Sequence, residues 1–179
     1  MPNYNPSTIA RIGDIINGIH VQTTAGALVA ANFTTGGTQT ELFGFVGRIG
    51  IKMLFIELEA AADANATQVL FNVTHTTPVI AVNAMCGKCA SIANLGALGR
   101  IVFVGGVVAT AAVITDSAGL SDVEMAGKLH IIGGTISGVN QVGTIGMLAS
   151  DATQAGTIAA TAHIYYTPLS DGAYVTAAL

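Results

Sequence analysis

The stretch LFGFVGRIGIKMLFIELEA, residues 42–60, carries the most regular pattern in the chain. Phe43, Phe45, Ile49, Ile51 and Met53 alternate with Gly44, Val46, Arg48, Gly50 and Lys52. Neighbouring side chains of a strand point to opposite faces, so this period of two predicts one half-buried strand. Near Met53–Ile56 both faces turn apolar and the phase shifts. Leu54, Ile56 and Leu58 then alternate with Glu57 and Glu59. A β-bulge, or a strand entering a covered region, accounts for such a shift.

Working outward, AADANA (61–66) reads as a turn and TQVLFNVTH (67–75) as the next strand. In that strand Val69, Phe71 and Val73 share one face, and Gln68, Leu70, Asn72 and Thr74 the other. VIAVN (79–83) is a further strand candidate, followed by a loop or helical turn. IVFVGGVVATAAVIT (101–115) is apolar on both faces and broken by Gly105-Gly106, which fits two buried strands or one kinked strand. KLHIIGGTISG (128–138) and VGTIGML (142–148) are short strands interrupted by glycine, and TIAATAHIYYTPL (157–169) is the last long one. Upstream, GALVAANF (26–33) reads as one strand. Ser7 is placed to cap a short helix through Ile16, although Pro2 and Pro6 suit an extended arm equally well. Roughly eight to ten short strands punctuated by Gly, Asn and Asp, with little helical periodicity, predict an all-β fold. The expectation is an antiparallel β-sandwich, jelly-roll-like, over residues 38–179. Residues 1–37 form an N-terminal arm, or a short helix plus a strand.

Charge is the unusual quantity. Six basic and ten acidic residues make up 9% of a chain that is 51% hydrophobic, 6% aromatic and without tryptophan. Ordinary soluble domains carry about 25% charged residues. A chain this sparing of charge is expected both to shelter apolar surface in contacts with other molecules and to cover the rest with Thr, Asn, Ser and Gln. The net charge is −4, and Arg48 and Lys52 are the nearest approach to a basic cluster, so no nucleic-acid partner is expected. Their spacing places them on one wet strand face. The longest apolar run, 101–115, falls short of the roughly 18–20 residues of a spanning helix and is rich in β-branched side chains, so no membrane partner is expected either. MPNYNPSTIARIGD at the start lacks the pattern of a signal peptide, which places synthesis in the cytoplasm.

Chemistry-bearing motifs are few. Cys86 and Cys89 form a lone CxxC, without the second pair or spaced histidines of a structural zinc site. Two partly buried reduced thiols are the simpler reading; metal binding and disulfide pairing stay open. His20, His75, His130 and His163 lie in four different segments and read as polar strand or loop residues rather than ligands. Glu57 and Glu59 share a face at i, i+2, a spacing open to acid–base work but equally natural at a solvated strand end. Sequons at Asn32, Asn65 and Asn72 follow from Asn- and Thr-rich strands and turns. No catalytic, cofactor-binding or metal residue is assigned, no cofactor is expected, and the expected class is non-enzymatic. A carbohydrate-binding jelly roll is disfavoured by the scarcity of aromatic platforms.

The C-terminal stretch GTIAATAHIYYTPLSDGAYV (156–175) resembles the last strand of a group of small structural proteins of tailed bacteriophages. There an alternating strand enters a Pro-Leu-Ser-x-Asp-Gly turn close to the terminus. The matching residues are Pro168, Leu169, Ser170, Asp171 and Gly172, with one residue fewer between Ser and Asp. TQTELFGFVGRIGIKMLFIE (38–57) is similar to the opening strand of the same group, and TPVIAVNAMCGKC (77–89) matches more weakly. The CxxC and the long N-terminal segment depart from the pattern. The resemblance implies a virion protein, made in the host cytoplasm and engaged in capsid decoration or cementing. Its implied partners are sister copies, with a trimer favoured, and the major capsid protein. The alternative is a neck, tail or fibre component that acts in attachment.

Overall fold

The computed structural model of the chain describes residues 18–36, 39–77, 79–103, 111–115, 129–136 and 138–179. Its strands are β1 (Ile19–Gln22), β2 (Leu28–Val29), β3 (Thr40–Val46), β4 (Ile49–Ala60), β5 (Gln68–Thr77), β6 (Val79–Ala84) and β7 (Arg100–Val102). They continue with β8 (Val113–Thr115), β9 (His130–Ile132), β10 (Thr135–Ile136), β11 (Val139–Asn140), β12 (Val142–Ser150), β13 (Ala159–Pro168) and β14 (Tyr174–Ala177). One sheet runs β1-β13-β4-β7-β8, with β2 on the far end of β13 and β9 on the near end of β4. The second runs β14-β3-β12-β5-β6, and β10 and β11 form a small hairpin. The strand ladders are antiparallel, and the arrangement is compatible with a jelly roll. The all-β sandwich expected from the sequence is the fold observed.

The deciding stretch is two strands rather than one. β3 ends at Val46 in the second sheet, and β4 begins at Ile49 in the first. Gly47 and Arg48 form the corner, with Gly47 at φ +75°, a conformation that favours glycine. The predicted bulge is present in β4. Tyr165 pairs with Met53 and Tyr166 with Ile51, which leaves Lys52 as the extra residue. Ile49 and Ile51 therefore point inward before it, and Leu54, Ile56 and Leu58 after it, all fully buried. Arg48 and Lys52 consequently do not share a strand face: one sits at the corner, the other in the bulge.

The inner faces meet in one core. The second sheet contributes Phe43, Phe45, Phe71, Ile145 and Met147, and the first contributes the β4 row with Ala160, Ala162 and Ile164. Tyr166 crosses between the sheets, its hydroxyl accepting the Val175 amide at 3.2 Å.

The N-terminal boundary moves. β1 pairs with β13 at Tyr166–His163, and Leu28 and Phe33 are fully buried in the core. Residues 18–36 are thus part of the sandwich and not of an arm, because their apolar side chains fill core positions that residues 38–179 leave open. GALVAANF is also not one strand: Leu28–Val29 is strand, and Ala30–Phe33 is a turn of 3-10 helix. The Asn32 side chain fixes that turn by accepting the Val29 amide at 2.9 Å. The Ser7–Ile16 segment lies outside the described residues. Of the 101–115 run, β7 and β8 are described and pair with each other. Among the described residues no helix is long and apolar enough to cross a membrane.

Candidate functional site

Three places bring chemistry-bearing or unpartnered side chains together. The first is the outer face of the first sheet. Alternation turns His163 and Tyr165 of β13 outward, and beyond the bulge it turns Met53, Phe55, Glu57 and Glu59 of β4 the same way. β1 adds His20 and β7 adds Arg100. The result is a row of planar groups across the strands. Tyr165 and His20 stack at 4.4 Å, His20 and His163 at 5.4 Å, and His163 and Phe55 at 4.7 Å, with ring planes within 17° of parallel. The Arg100 guanidinium lies 5.3 Å from the Phe55 ring centre and meets Glu57 at 2.6 Å. Each stacked pair contributes about 0.5–1.5 kcal/mol beyond simple burial.

His20 Nε2 and His163 Nδ1 approach to 3.2 Å, so one imidazole N–H donates to the lone pair of the other. Burial first, and then the neighbouring His20, hold the His163 imidazole below its ordinary value of 6.5. The two carboxylates predicted to share a face do so, and each has its own partner. Glu57 pairs with Arg100, while Glu59 accepts from the Gly26 amide at 2.8 Å and from the Thr161 hydroxyl. A cleft of about 410 Å³ beside the row is lined by Lys52, Met53, Phe55, Arg100 and Tyr165.

The second place is the end of the sandwich where the chain changes sheets. The resemblance motif Pro168–Gly172 leads from β13 to β14 and lies against the Gly47–Arg48 corner. Leu169 donates its amide to Arg48 O at 2.8 Å, and the Arg48 amide donates to Ser170 Oγ at 2.9 Å. Gly172 takes φ +70°, and Asn140 reaches Asp171 O at 3.2 Å. Exposed apolar side chains flank this corner on both sheets. Tyr174, Val46 and Val142 are side-by-side partners on β14, β3 and β12. Ile131, Val139, Tyr174, Val142 and Leu169 are all exposed, Val139 by 61% and Ile131 by 56%. Among the described residues, Arg48 and Asp171 are exposed charges beside them.

The third place is the CxxC. Both cysteines are free and buried beside β5. Val69 donates its amide to Cys89 Sγ at 3.1 Å and Phe71 to Cys86 Sγ at 3.3 Å. The thiols therefore satisfy β5 amides just beyond the reach of β6. Burial raises both thiols, Cys89 to about 11, so they stay protonated. Among the described residues no three His, Cys, Asp or Glu side chains are grouped to hold a metal.

Sequence reasoning treated the four histidines as separate, and the structure joins His20 to His163 while keeping His75 and His130 apart. His75 stands edge-on to Phe45, and His130 edge-on to Phe103. The sequon side chains are engaged or enclosed: Asn32 in its turn, Asn65 bonded to Asp63 and Thr153, and Asn72 fully buried. Comparison with protein-family models, with curated proteins and with solved structures found no match to this chain.

Proposed function

We propose that the chain is a non-enzymatic virion structural protein, a capsid decoration or cement protein that acts as a small symmetric oligomer, a trimer by preference. The observation that carries this reading is the set of exposed apolar side chains flanking the corner end on the outer faces of both sheets. A chain with 9% charge places Ile131, Val139, Val142, Leu169 and Tyr174 around one end, stiffened by two interlocked corners. A stable interface between chains buries about 1,200–2,000 Å² and is most apolar at its centre. The resemblance of the Pro168–Gly172 turn to phage structural proteins supports the same reading, since that turn builds part of the exposed end.

In this role the mechanism is mechanical. The apolar end is buried against sister copies and the assembled shell, and the free energy of that burial opposes separation of capsomers under internal pressure. Mass spectrometry of purified particles is the test. The chain is expected in hundreds of copies per particle. Its absence overturns the reading, and a few copies per particle replaces it with a neck, tail or fibre role.

A further inference from the structure

Among the described residues, β1 is a four-residue strand at the edge of the first sheet. Its ladder to β13 is short, spanning Ile19–Gln22 against Tyr166–His163. On the outer face it is fastened by His20, whose ring lies between Tyr165 and His163 and whose Nε2 meets His163 Nδ1 at 3.2 Å. That bond depends on protonation. Two neutral imidazoles, or one neutral and one cationic, supply one N–H and one lone pair. Two imidazolium ions present N–H to N–H, so the bond is lost and like charges face each other. We propose that His20 and His163 form an acid-released latch, closed on β13 while at least one ring is neutral and opening β1 when both are charged.

The surroundings act both ways: burial, His20 and Arg100 oppose a charge on His163, whereas Glu57 and Glu59 favour it. From β4, Glu57 is engaged by Arg100 of β7, and Glu59 by Gly26 and Thr161. The bulged Lys52 lies near the start of β1, its Cδ 3.1 Å from where a Gly18 side chain would begin. β13 adds Tyr165, and β14, packed beside β1, offers Tyr174 as its one ionisable side chain. The nearby carboxylates are held by these partners, and burial with the adjacent His20 outweighs them in keeping His163 neutral. Burial and the proximity of His20 already keep His163 neutral to lower pH than a free imidazole. Its contribution to holding β1 is present above about 6.5 and is lost as pH falls through the depressed folded value.

Amide exchange measured by NMR on the full chain at pH 7 and pH 5, corrected for intrinsic rates, tests the latch. The expected result is a loss of protection at Ile19–Gln22 at least tenfold larger than the loss at β4 and β12, which follow the general fall in stability. His20→Gln and His20→Phe, which have no proton to gain, should each abolish the pH dependence; the second also keeps a ring in the stack. A β1 that stays protected at pH 5 overturns the proposal. So does a loss shared in step by β4 and β12, or an undiminished drop in both variants.

Discussion

The two ends of the sandwich are fastened by opposite means. At the corner end, backbone packs on backbone. A side chain at Gly47 would begin 2.8 Å from Ser170 Oγ and 2.9 Å from Ala173 Cβ, and one at Gly133 would run into the Gly47 carbonyl. At the other end, polar side chains close the loops. The Asp63 carboxylate accepts amides from Asn65, Ala155 and Gly156, at 2.8, 2.6 and 3.1 Å. Gln154, 2% exposed, accepts the Asp63 amide and donates to Asn65 O and Thr67 Oγ1. The polar end has committed its hydrogen-bonding groups to itself. The corner end adds the Arg48–Ser170 and Asn140–Asp171 bonds to its close glycine contacts and leaves Ile131, Val139 and Tyr174 facing outward, while Leu98 and Val29 are the exposed apolar side chains of the polar end. Under the proposed function, that contrast makes the corner the contact end and the polar end the closed one.

The largest expected effect breaks the polar end. Phe33 O accepts the Gln154 amide at 3.1 Å, and Thr35 bonds to Thr153. Deleting residues 1–36 removes these bonds together with the buried Leu28 and Phe33. Losing two such side chains costs about 5–10 kcal/mol, comparable to the whole stability of a domain. Circular dichroism should show this truncation unfolded and a truncation of residues 1–17 folded. A folded, cooperative 37–179 fragment would contradict the placement of residues 18–36 in the core.

Next come the two fastenings themselves. Gly47→Ala combines left-handed strain with overpacking and should cost about 2–4 kcal/mol. Gly138→Ala has a similar φ, +78°, but nothing within 4 Å of the new methyl, and should cost only about 1–2 kcal/mol. Gln154→Leu strands buried donors and acceptors and should cost roughly 2–3 kcal/mol. Denaturant midpoints would rank the three. Equal losses for the two glycines would show that close packing is not what holds the corner.

Much of this fold was legible in the chain. The alternation of Val69, Phe71 and Val73 and the phase shift after Met53 follow directly from which residues face the core. The corner at Gly47–Arg48 was hidden by the same rule. Phe43, Phe45, Ile49 and Ile51 are all odd-numbered, and the inner faces of both sheets point into one core. A strand that turns from one sheet into the other therefore keeps its period of two, and only the glycine marks the turn. The candidate site was less legible. The shared face of Glu57 and Glu59 is local and was predicted, whereas the His20–His163 contact spans 143 residues and depends on which strand lies beside β13. Alternation did place His163 and Tyr165 on one face, but no signal in the sequence named β1 as the neighbour.

Acid should separate the ends by pH. At the corner end, His75 on β5 and His130 on β9 are held below 6.5 by burial. The fold therefore favours their neutral forms, the unfolded chain takes up protons first, and stability falls as pH drops below about 6.5. At the polar end, Asp63 is held below its ordinary 3.8, chiefly by the Ala155 amide. Its contribution is present above 3.8 and lost as pH falls through the lower folded value. Urea midpoints across pH 7 to 2.5 should show two declines. His75→Leu is expected to shrink the first, and Asp63→Asn to flatten the second. A single decline untouched by either variant would mean that the two ends do not differ in this respect.

The smallest expected effect on stability is the sharpest test of which end makes contact. Ile131 and Val139 are more than half exposed, so replacing both with Asp should change the unfolding free energy by about 1 kcal/mol or less. The same change places two carboxylates in a surface that otherwise meets its partner through apolar side chains, where an unpaired charge is costly to bury. Sedimentation of the double variant should therefore show single chains where the parent associates. Thr157→Asp, at an exposed position of the polar end, should associate like the parent. Were the Thr157 variant to dissociate and the corner variant to remain assembled, the roles of the two ends would be reversed. The glycine-locked corners would then serve the fold alone, and the polar network would have to be read as a surface that exchanges its internal hydrogen bonds for a neighbour's.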